Sequence, residues 1–306
     1  MKPSEFPQPL RGIVPPLVTP LSDPNALDRP ALLRLIEHMI AGGVHGLFVL
    51  GTTGEGPALS YKMRRTIIEE SCRAVAGRVP VLVAISDTSV EESLELGKWA
   101  VECGADALVA TSPYYAGVSQ TDLYRLIEIL ATQLPLPLFL YNMPSLTKTY
   151  FAPETVAKAS KLPNVYGIKD SSANMDYVAQ VIEAVKDRKD FTVLVGPEEL
   201  LTEAIALGAH GGVNGGANLF PRLFVHLYEA LIAGNMTTAA KLQQKVLDLG
   251  GLLYNTGEKE SSYLRGLKLG LELMEICPAT MAPPYQAADA SQFNELRTKL
   301  QTFKAF

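Results

Sequence analysis

The chain has 306 residues, 47% of them hydrophobic and 19% charged, enough for one large core or two small domains. Its 27 basic and 32 acidic residues are interspersed and sum to −5, with no Lys/Arg run, so a nucleic-acid partner has no electrostatic footing. Three scattered cysteines, Cys72, Cys103 and Cys277, make no disulfide framework and no CxxC, which suits a reducing cytosol.

In chain order, short apolar runs alternate with amphipathic runs of helical length. GIVPPLVT (12–19) predicts the first strand, and RPALLRLIEHMIAGG (29–43) a helix with Leu32, Leu35, Ile36 and Met39 on one face. Asp28 with Pro30 caps that helix. HGLFVLG (45–51) is the second strand, followed after Ser60 by the helix YKMRRTIIEESCRAVA. PVLVAIS (80–86) is the third, and SVEESLELGKWAVECG is a helix capped by Thr88 or Ser89 ahead of Glu91 and Glu92. DALVAT (106–111), the helix QTDLYRLIEILATQL and PLFLYN (137–142) come next. VYGIKD (165–170), FTVLVG (191–196) and HGGVNG (210–215) complete the strands, and Gly43, Gly104 and Gly208 follow helices as C-caps.

Eight nearly continuous apolar strands in roughly 230 residues predict an α/β fold, a (β/α)8 TIM barrel covered by helices. A doubly wound open sheet is the runner-up. From about residue 234 the strands cease, and TTAAKLQQKVLDLGGLLYN, SSYLRGLKLGLELMEI and SQFNELRTKLQTF read as extra helices. The expected organisation is a barrel over 1–233 carrying the active site and a helical region over 234–306. The opening MKPSEFPQPLRG lacks a signal-peptide core, and no apolar run reaches the ~18 residues of a membrane span. A cytoplasmic protein with no membrane partner is expected.

In such a barrel the chemistry sits where strands end. Reading only those positions gives GTTGEG (51–56), TSPYY (111–115), YNMP (141–144), Lys169, GPEE (196–199) and GVNGG (212–216). Hydroxyls, phenols and one amine therefore gather on one rim. Lysine among phenols, without metal-ligand clusters, points to covalent carbonyl chemistry, in which the amine adds to a ketone and leaves an electron-withdrawing iminium. The amine must be uncharged to attack, and enclosure in an apolar barrel mouth is the physical route to that. Asp170 points the other way by strand alternation and reads as an outer residue. Tyr141 ends the strand beside that of Lys169 and is the candidate proton carrier.

Thr52-x-x-Glu55 fits a capping box, and the glycine-spaced amides around it also make an anion nest. A carboxylate suits that nest better than a phosphate, because Glu198 and Glu199 would repel a dianion. The paired Tyr114 and Tyr115 fit an interface. His38, His45, His210 and His226 are too dispersed to suggest a metal cluster, and no metal is expected.

GTTGEG, SPYY, YNMP and GIKD, in this order at these strand ends, resemble the dihydrodipicolinate synthase/N-acetylneuraminate lyase family. The resemblance runs through the barrel into the helical tail. It implies a class I, Schiff-base-forming barrel enzyme acting on pyruvate or another 2-keto acid, as a homotetramer or homodimer, with no cofactor beyond the imine. By the same resemblance Lys169 is the imine lysine, and Tyr141 moves protons at the imine and the substrate carboxylate. Thr52 and Thr53 hold the pyruvyl carboxylate, and Val213 brings a backbone carbonyl toward the lysine. Tyr115 is lent across a tight dimer interface to complete a Tyr141–Thr52–Tyr115 relay.

Departures from the pattern bear on substrate. Synthases that condense pyruvate with aspartate semialdehyde continue YN-x-P-x-R-T-G, whereas this chain reads YNMPSLTK, with Leu146 at the arginine position and Lys148 at the glycine. Leucine holds no carboxylate. Leu146, Glu199 and the Arg265-Gly-Leu-Lys run are similar to the lyase branch, where the glutamate and nearby hydroxyls bind sugar hydroxyls. Ser171 is a candidate for such a contact, but Gly215 stands where sialic acid lyases offer a serine. The expected activity is reversible cleavage of a 2-keto acid to pyruvate and an aldehyde, lyase-like or keto-deoxy sugar acid aldolase-like. The alternatives are dihydrodipicolinate synthase with Lys148 replacing the arginine, a keto-deoxy acid dehydratase, a metal-dependent aldolase, and a non-catalytic keto-acid sensor or scaffold.

Overall fold

Strands that are apolar on both faces must be covered on both, and the computed structural model, which describes residues 6–254, 262–287 and 293–303, meets this with a barrel. Its strands are Gly12–Ile13, Leu47–Val49, Val81–Ala84, Ala107–Thr111, Leu138–Asn142, Val165–Asp170, Thr192–Val195 and Gly211–Gly212. From the second to the eighth they pair in parallel, each with its sequence neighbour, and the first pairs with the eighth. Closure between the first and second comes from three backbone bonds: His45 N to Ile13 O (2.8 Å), Phe48 N to Pro15 O (2.9 Å) and Leu17 N to Phe48 O (2.8 Å). All eight predicted strands are present, so the (β/α)8 expectation holds.

The first and eighth strands are shorter than their apolar runs. Pro15 and Pro16 have no N–H to donate, so the regular ladder stops at Ile13 and resumes only as one bridge from Pro16 to Phe48. In the eighth strand close approach sets the residue type. A Cβ on Gly211 would overlap the Gly12 carbonyl oxygen and lie 2.7 Å from its nitrogen. Past the first strand, Leu21–Asp23 and Ala26–Leu27 form a small antiparallel hairpin that the periodicity did not reveal. Its turn rests on Asn25 N donating to the Asp23 carboxylate (3.2 Å), a local device with no hydrophobic signature.

The predicted helices occur as Arg29–Ala41, Tyr61–Val75, Val90–Glu102 and Gln120–Gln133. Asp28, Ser60 and Ser89 each accept a backbone N–H at the helix start; Thr88 does not cap, its hydroxyl turning to Asp87 instead. Gly43, Gly104 and Gly208 have φ of 82°, 83° and 108°, as helix-ending glycines should. Among the described residues no helix is long and apolar enough to cross a membrane.

Beyond the barrel come the helices Met236–Leu253, Ser262–Leu273 and Phe293–Leu300. Their apolar side chains, among them Val246, Leu249, Leu267 and Leu271, join the same continuous core as the barrel. One polar clasp fastens them to the second strand's loop, and it corrects the reading of Glu55 as a capping-box residue. Glu55 has φ 56° and makes no side-chain cap. Its carboxylate is buried in an ion pair with Lys268, and also accepts from Ala282 N (2.8 Å). Lys268 donates in addition to Thr280 O (2.5 Å). Burial pushes the Lys268 amine down while the Glu55 charge opposes that.

The two side chains are 1% and 0% exposed, so removing one strands the other without water. Lys268→Met should lower unfolding stability by about 3–5 kcal/mol, measured by urea titration, and adding Glu55→Gln should recover part of it. A single mutant as stable as the wild type would show that the clasp is not needed.

Candidate active site

The strand Val165–Asp170 is apolar until its end, and there the register sets Lys169 beside Tyr141 on the neighbouring strand. Lys169 is 7% exposed, and its Nζ lies 3.7 Å from the centroid of the Tyr141 ring and 5.9 Å from that of Phe48. Phe48 in turn meets Tyr141 edge-on, 6.0 Å between centroids. Among the described residues Lys169 joins none of the ion pairs. It faces a cavity of about 250 Å³, lined also by Thr52, Thr53, Ser171, Val213 and Gly215. Six strand ends thus bring together residues up to 199 positions apart, the span from Pro16 to Gly215.

Tyr141 shows what the amine does to its neighbour. Burial alone pushes the phenol up, but the Lys169 charge and hydrogen bonds from Lys169, Thr52 and Ser171 outweigh it and hold the phenol below its usual range. The Thr52–Tyr141 hydroxyl pair is 3.2 Å apart. Thr53 turns elsewhere, its hydroxyl lying 2.9 Å from that of Tyr263. Asp170 does point away from the cavity, accepting from Asn142 Nδ2 (2.7 Å), Ser172 Oγ (2.8 Å) and Ser172 N (3.1 Å). Asn142 also accepts from Phe151 N (3.1 Å), so the carboxylate fixes the two strand ends and the following chain. Burial pushes the Asp170 carboxyl up against those hydrogen bonds.

The two adjacent glutamates separate. Glu199 is exposed at the rim and lines the cavity. Glu198 is 4% exposed, accepting from Gly216 N (2.8 Å) and from the Tyr254 hydroxyl. Burial pushes its carboxyl up to about 7, opposed by the Tyr254 and Gly216 donors. Tyr254 packs on Tyr263 with ring centroids 5.0 Å apart. Tyr254 and Tyr263 are site residues that the sequence reading missed, and Glu198, read there with Glu199 as a charge at the rim, is instead buried behind it. Both tyrosines come from the helical tail, where no local pattern links them to a strand end. The single indirect signal was Gly215: a Cβ there would overlap the Tyr263 hydroxyl and lie 2.7 Å from its Cζ.

Two expected residues stand apart. Tyr115 is 92% exposed and does not reach the Lys169 cavity within one chain. Leu146, 51% exposed, lines an adjoining cavity of about 240 Å³ rather than the Lys169 cavity itself. The two cavities share Thr52, Tyr141 and Met143, so the Thr52–Tyr141 pair is the wall between them. Lys148 lines neither; its amine donates to Ser145 O (2.7 Å) at the end of the short helix Pro144–Thr147.

Three histidines meet backbone groups instead of one another. His38 pairs with Leu219 O (2.9 Å), while His45 and His210 accept from Ile13 N (3.1 Å) and Val193 N (3.0 Å). Burial, helped by Arg11, pushes His210 down to about 4. Among the described residues no three His, Cys, Asp or Glu side chains gather as metal ligands would.

Comparison with known proteins finds relatives along nearly the whole chain. A sequence model described as the dihydrodipicolinate synthetase family matches residues 9–303. A solved dihydrodipicolinate synthase from Bacteroides thetaiotaomicron is 51% identical, with a TM-score of 0.94 covering 97% of this chain and 100% of that one. A prophage protein of the dihydrodipicolinic acid synthase family from Escherichia coli K12, solved in complex with pyruvate, is 32% identical with a TM-score of 0.90, covering 96% and 98%. A curated relative from Escherichia coli K12, named a probable 2-dehydro-3-deoxy-D-pentonate aldolase, is 36% identical over 240 residues, 78% of this chain and 80% of the relative.

The raised Glu198 carboxyl means that the fold favours its protonated form. The stability this contributes is present below the ordinary carboxylate value of 4.5 and is lost as pH rises through about 7. Glu198→Gln, which stays neutral, should therefore melt higher than wild type at a pH above about 7 and much like it below about 4.5. The difference expected is on the order of 3 kcal/mol by linkage. Thermal unfolding across that range checks it, and a pH-independent difference would contradict it.

Proposed function

Since the chain belongs to the dihydrodipicolinate synthetase family, whose members are pyruvate-dependent class I lyases and aldolases, we propose that it joins and splits pyruvate and a neutral, hydroxylated aldehyde through an imine on Lys169. The observation that carries this reading is the charge of the cavity. Among the described residues its only cationic lining residue is Lys169 itself, while Glu198, Glu199 and several hydroxyls make up the rest of its polar wall. A substrate with one carboxylate can leave that group to Thr52 and Thr53. A second carboxylate would meet Glu199 with no counter-charge, since Leu146 is apolar and Lys148 is turned to Ser145.

In this reading the Lys169 nitrogen adds to the C2 ketone, and loss of water leaves an iminium. The C3–C4 bond then breaks: its electron pair flows into the iminium to give an enamine, the C4 hydroxyl loses its proton, and the aldehyde departs. The enamine takes a proton at C3, and water releases pyruvate. Tyr141, hydrogen-bonded to Lys169, Thr52 and Ser171, is the group placed to carry these protons. Tyr115 from a second copy of the chain enters the adjoining cavity behind Thr52, which makes the homodimer the smallest complete unit. No cofactor is required.

One observation favours a second reading, condensation of pyruvate with aspartate semialdehyde: the 51% identical protein of known structure is described as a dihydrodipicolinate synthase. The two readings share the imine and differ in the acceptor.

Incubation with pyruvate and borohydride should add one reduced pyruvyl group at Lys169, absent in Lys169→Ala; mass spectrometry showing no adduct would end both readings. Tyr141→Phe should lower turnover by at least ~10²-fold. With pyruvate saturating, hydroxylated aldehydes should be consumed faster than aspartate semialdehyde, and the opposite order would assign the synthase activity.

A further inference from the structure

The C-terminal helix Ser262–Leu273 contributes one side chain to the cavity over Lys169 that the imine chemistry leaves without a task, Tyr263. Its hydroxyl lies against Gly215, at the end of the eighth strand, where any Cβ would overlap it. The absence of a side chain at 215 and the presence of a phenol at 263 are therefore one arrangement: a hydroxyl stands over this strand end, delivered from a helix instead of from the strand. Among the described residues its hydrogen-bond partner in the cavity is Thr53 Oγ1, at 2.9 Å. A phenol has one proton and two lone pairs, so one bond to Thr53 leaves capacity for another.

We propose that Tyr263 is a specificity-determining residue of the Lys169 site, its phenol hydroxyl hydrogen-bonding a hydroxyl on the aldehyde-derived half of the substrate. The proposal rests on the imine reading above. Position and support favour it over a packing role. Tyr263 lines the same cavity as Lys169 and the Thr52–Tyr141 pair, so a keto acid bound to Lys169 shares that cavity with the Tyr263 hydroxyl. The ring is held by Tyr254, itself anchored on Glu198, so the hydroxyl is fixed in place before any ligand arrives. Burial, reinforced by the Glu198 charge, pushes the Tyr263 phenol up, which keeps it a neutral donor at neutral pH. An apolar aldehyde would leave that hydroxyl with a lost water contact and no replacement, which is how a buried polar group discriminates between ligands.

The test compares glyceraldehyde with propanal, its deoxygenated counterpart, as acceptors at saturating pyruvate. Tyr263→Phe should lower kcat/KM for glyceraldehyde about tenfold and change that for propanal little. Borohydride trapping of pyruvate on Lys169 in the same variant should persist; its loss in the wild type would sink the imine reading, independently of Tyr263. Gly215→Ser combined with Tyr263→Ala, which moves a hydroxyl from the helix to the strand end, should restore preference for glyceraldehyde over Tyr263→Ala alone. An unchanged glyceraldehyde-to-propanal ratio in Tyr263→Phe, or an equal fall for both aldehydes, would overturn the proposal.

Discussion

An amine at the end of an apolar strand has given up most of its water, and at Lys169 nothing ionic replaces it. The side chain is 7% exposed, joins no ion pair among the described residues, and has the face of an aromatic ring 3.7 Å away. Desolvating a cation is costly in proportion to how poorly it is compensated, and ring faces compensate only in part. That tension is held in place by the barrel: the register of two strands, the Asn142–Asp170 contact outside them and Phe48 behind Tyr141 all fix where the amine points. The cavity above it leaves room for a ligand carbon where a structural lysine would have found a carboxylate.

The helical tail is part of this site. The buried Glu55–Lys268 pair ties the tail to the loop that carries Thr52 and Thr53. Tyr254 and Tyr263 then close the cavity from the same direction, one anchored on Glu198 and the other on Thr53. Charge follows the same division. The tail supplies a cation to the loop glutamate Glu55, while the reacting cavity keeps, among the described residues, a lone amine beside hydroxyls and carboxylates. In the proposed function, acceptor choice is therefore governed from the strand-7 loop and the tail, and imine chemistry from strands 5 and 6.

Much of this was legible in the residues before any fold was known. Apolar runs of strand length, separated by amphipathic helices, leave few architectures other than a closed parallel barrel, and the rule that chemistry sits at strand ends then selects Lys169, Tyr141, Thr52 and Thr53. Strand alternation also placed Asp170 outside correctly, because side-chain direction in a strand is a local property. Glu55 was misread for a related reason. A capping box is also local, but a carboxylate three residues after a threonine fits that pattern equally well when its true partner, Lys268, lies 213 positions further on.

The sequence by itself determined the order of the strands, the faces of the helices and which strand ends carry an amine and hydroxyls, since each follows from period, propensity and short-range spacing. Only the tertiary structure decided that Glu198 is buried while Glu199 is exposed, that Leu146 lines the adjoining cavity, and that Tyr263 fills the space above Gly215. Those outcomes depend on what packs against a residue from a distant part of the chain. No local pattern encodes the partner of a buried charge or the occupant of a space left by a missing side chain.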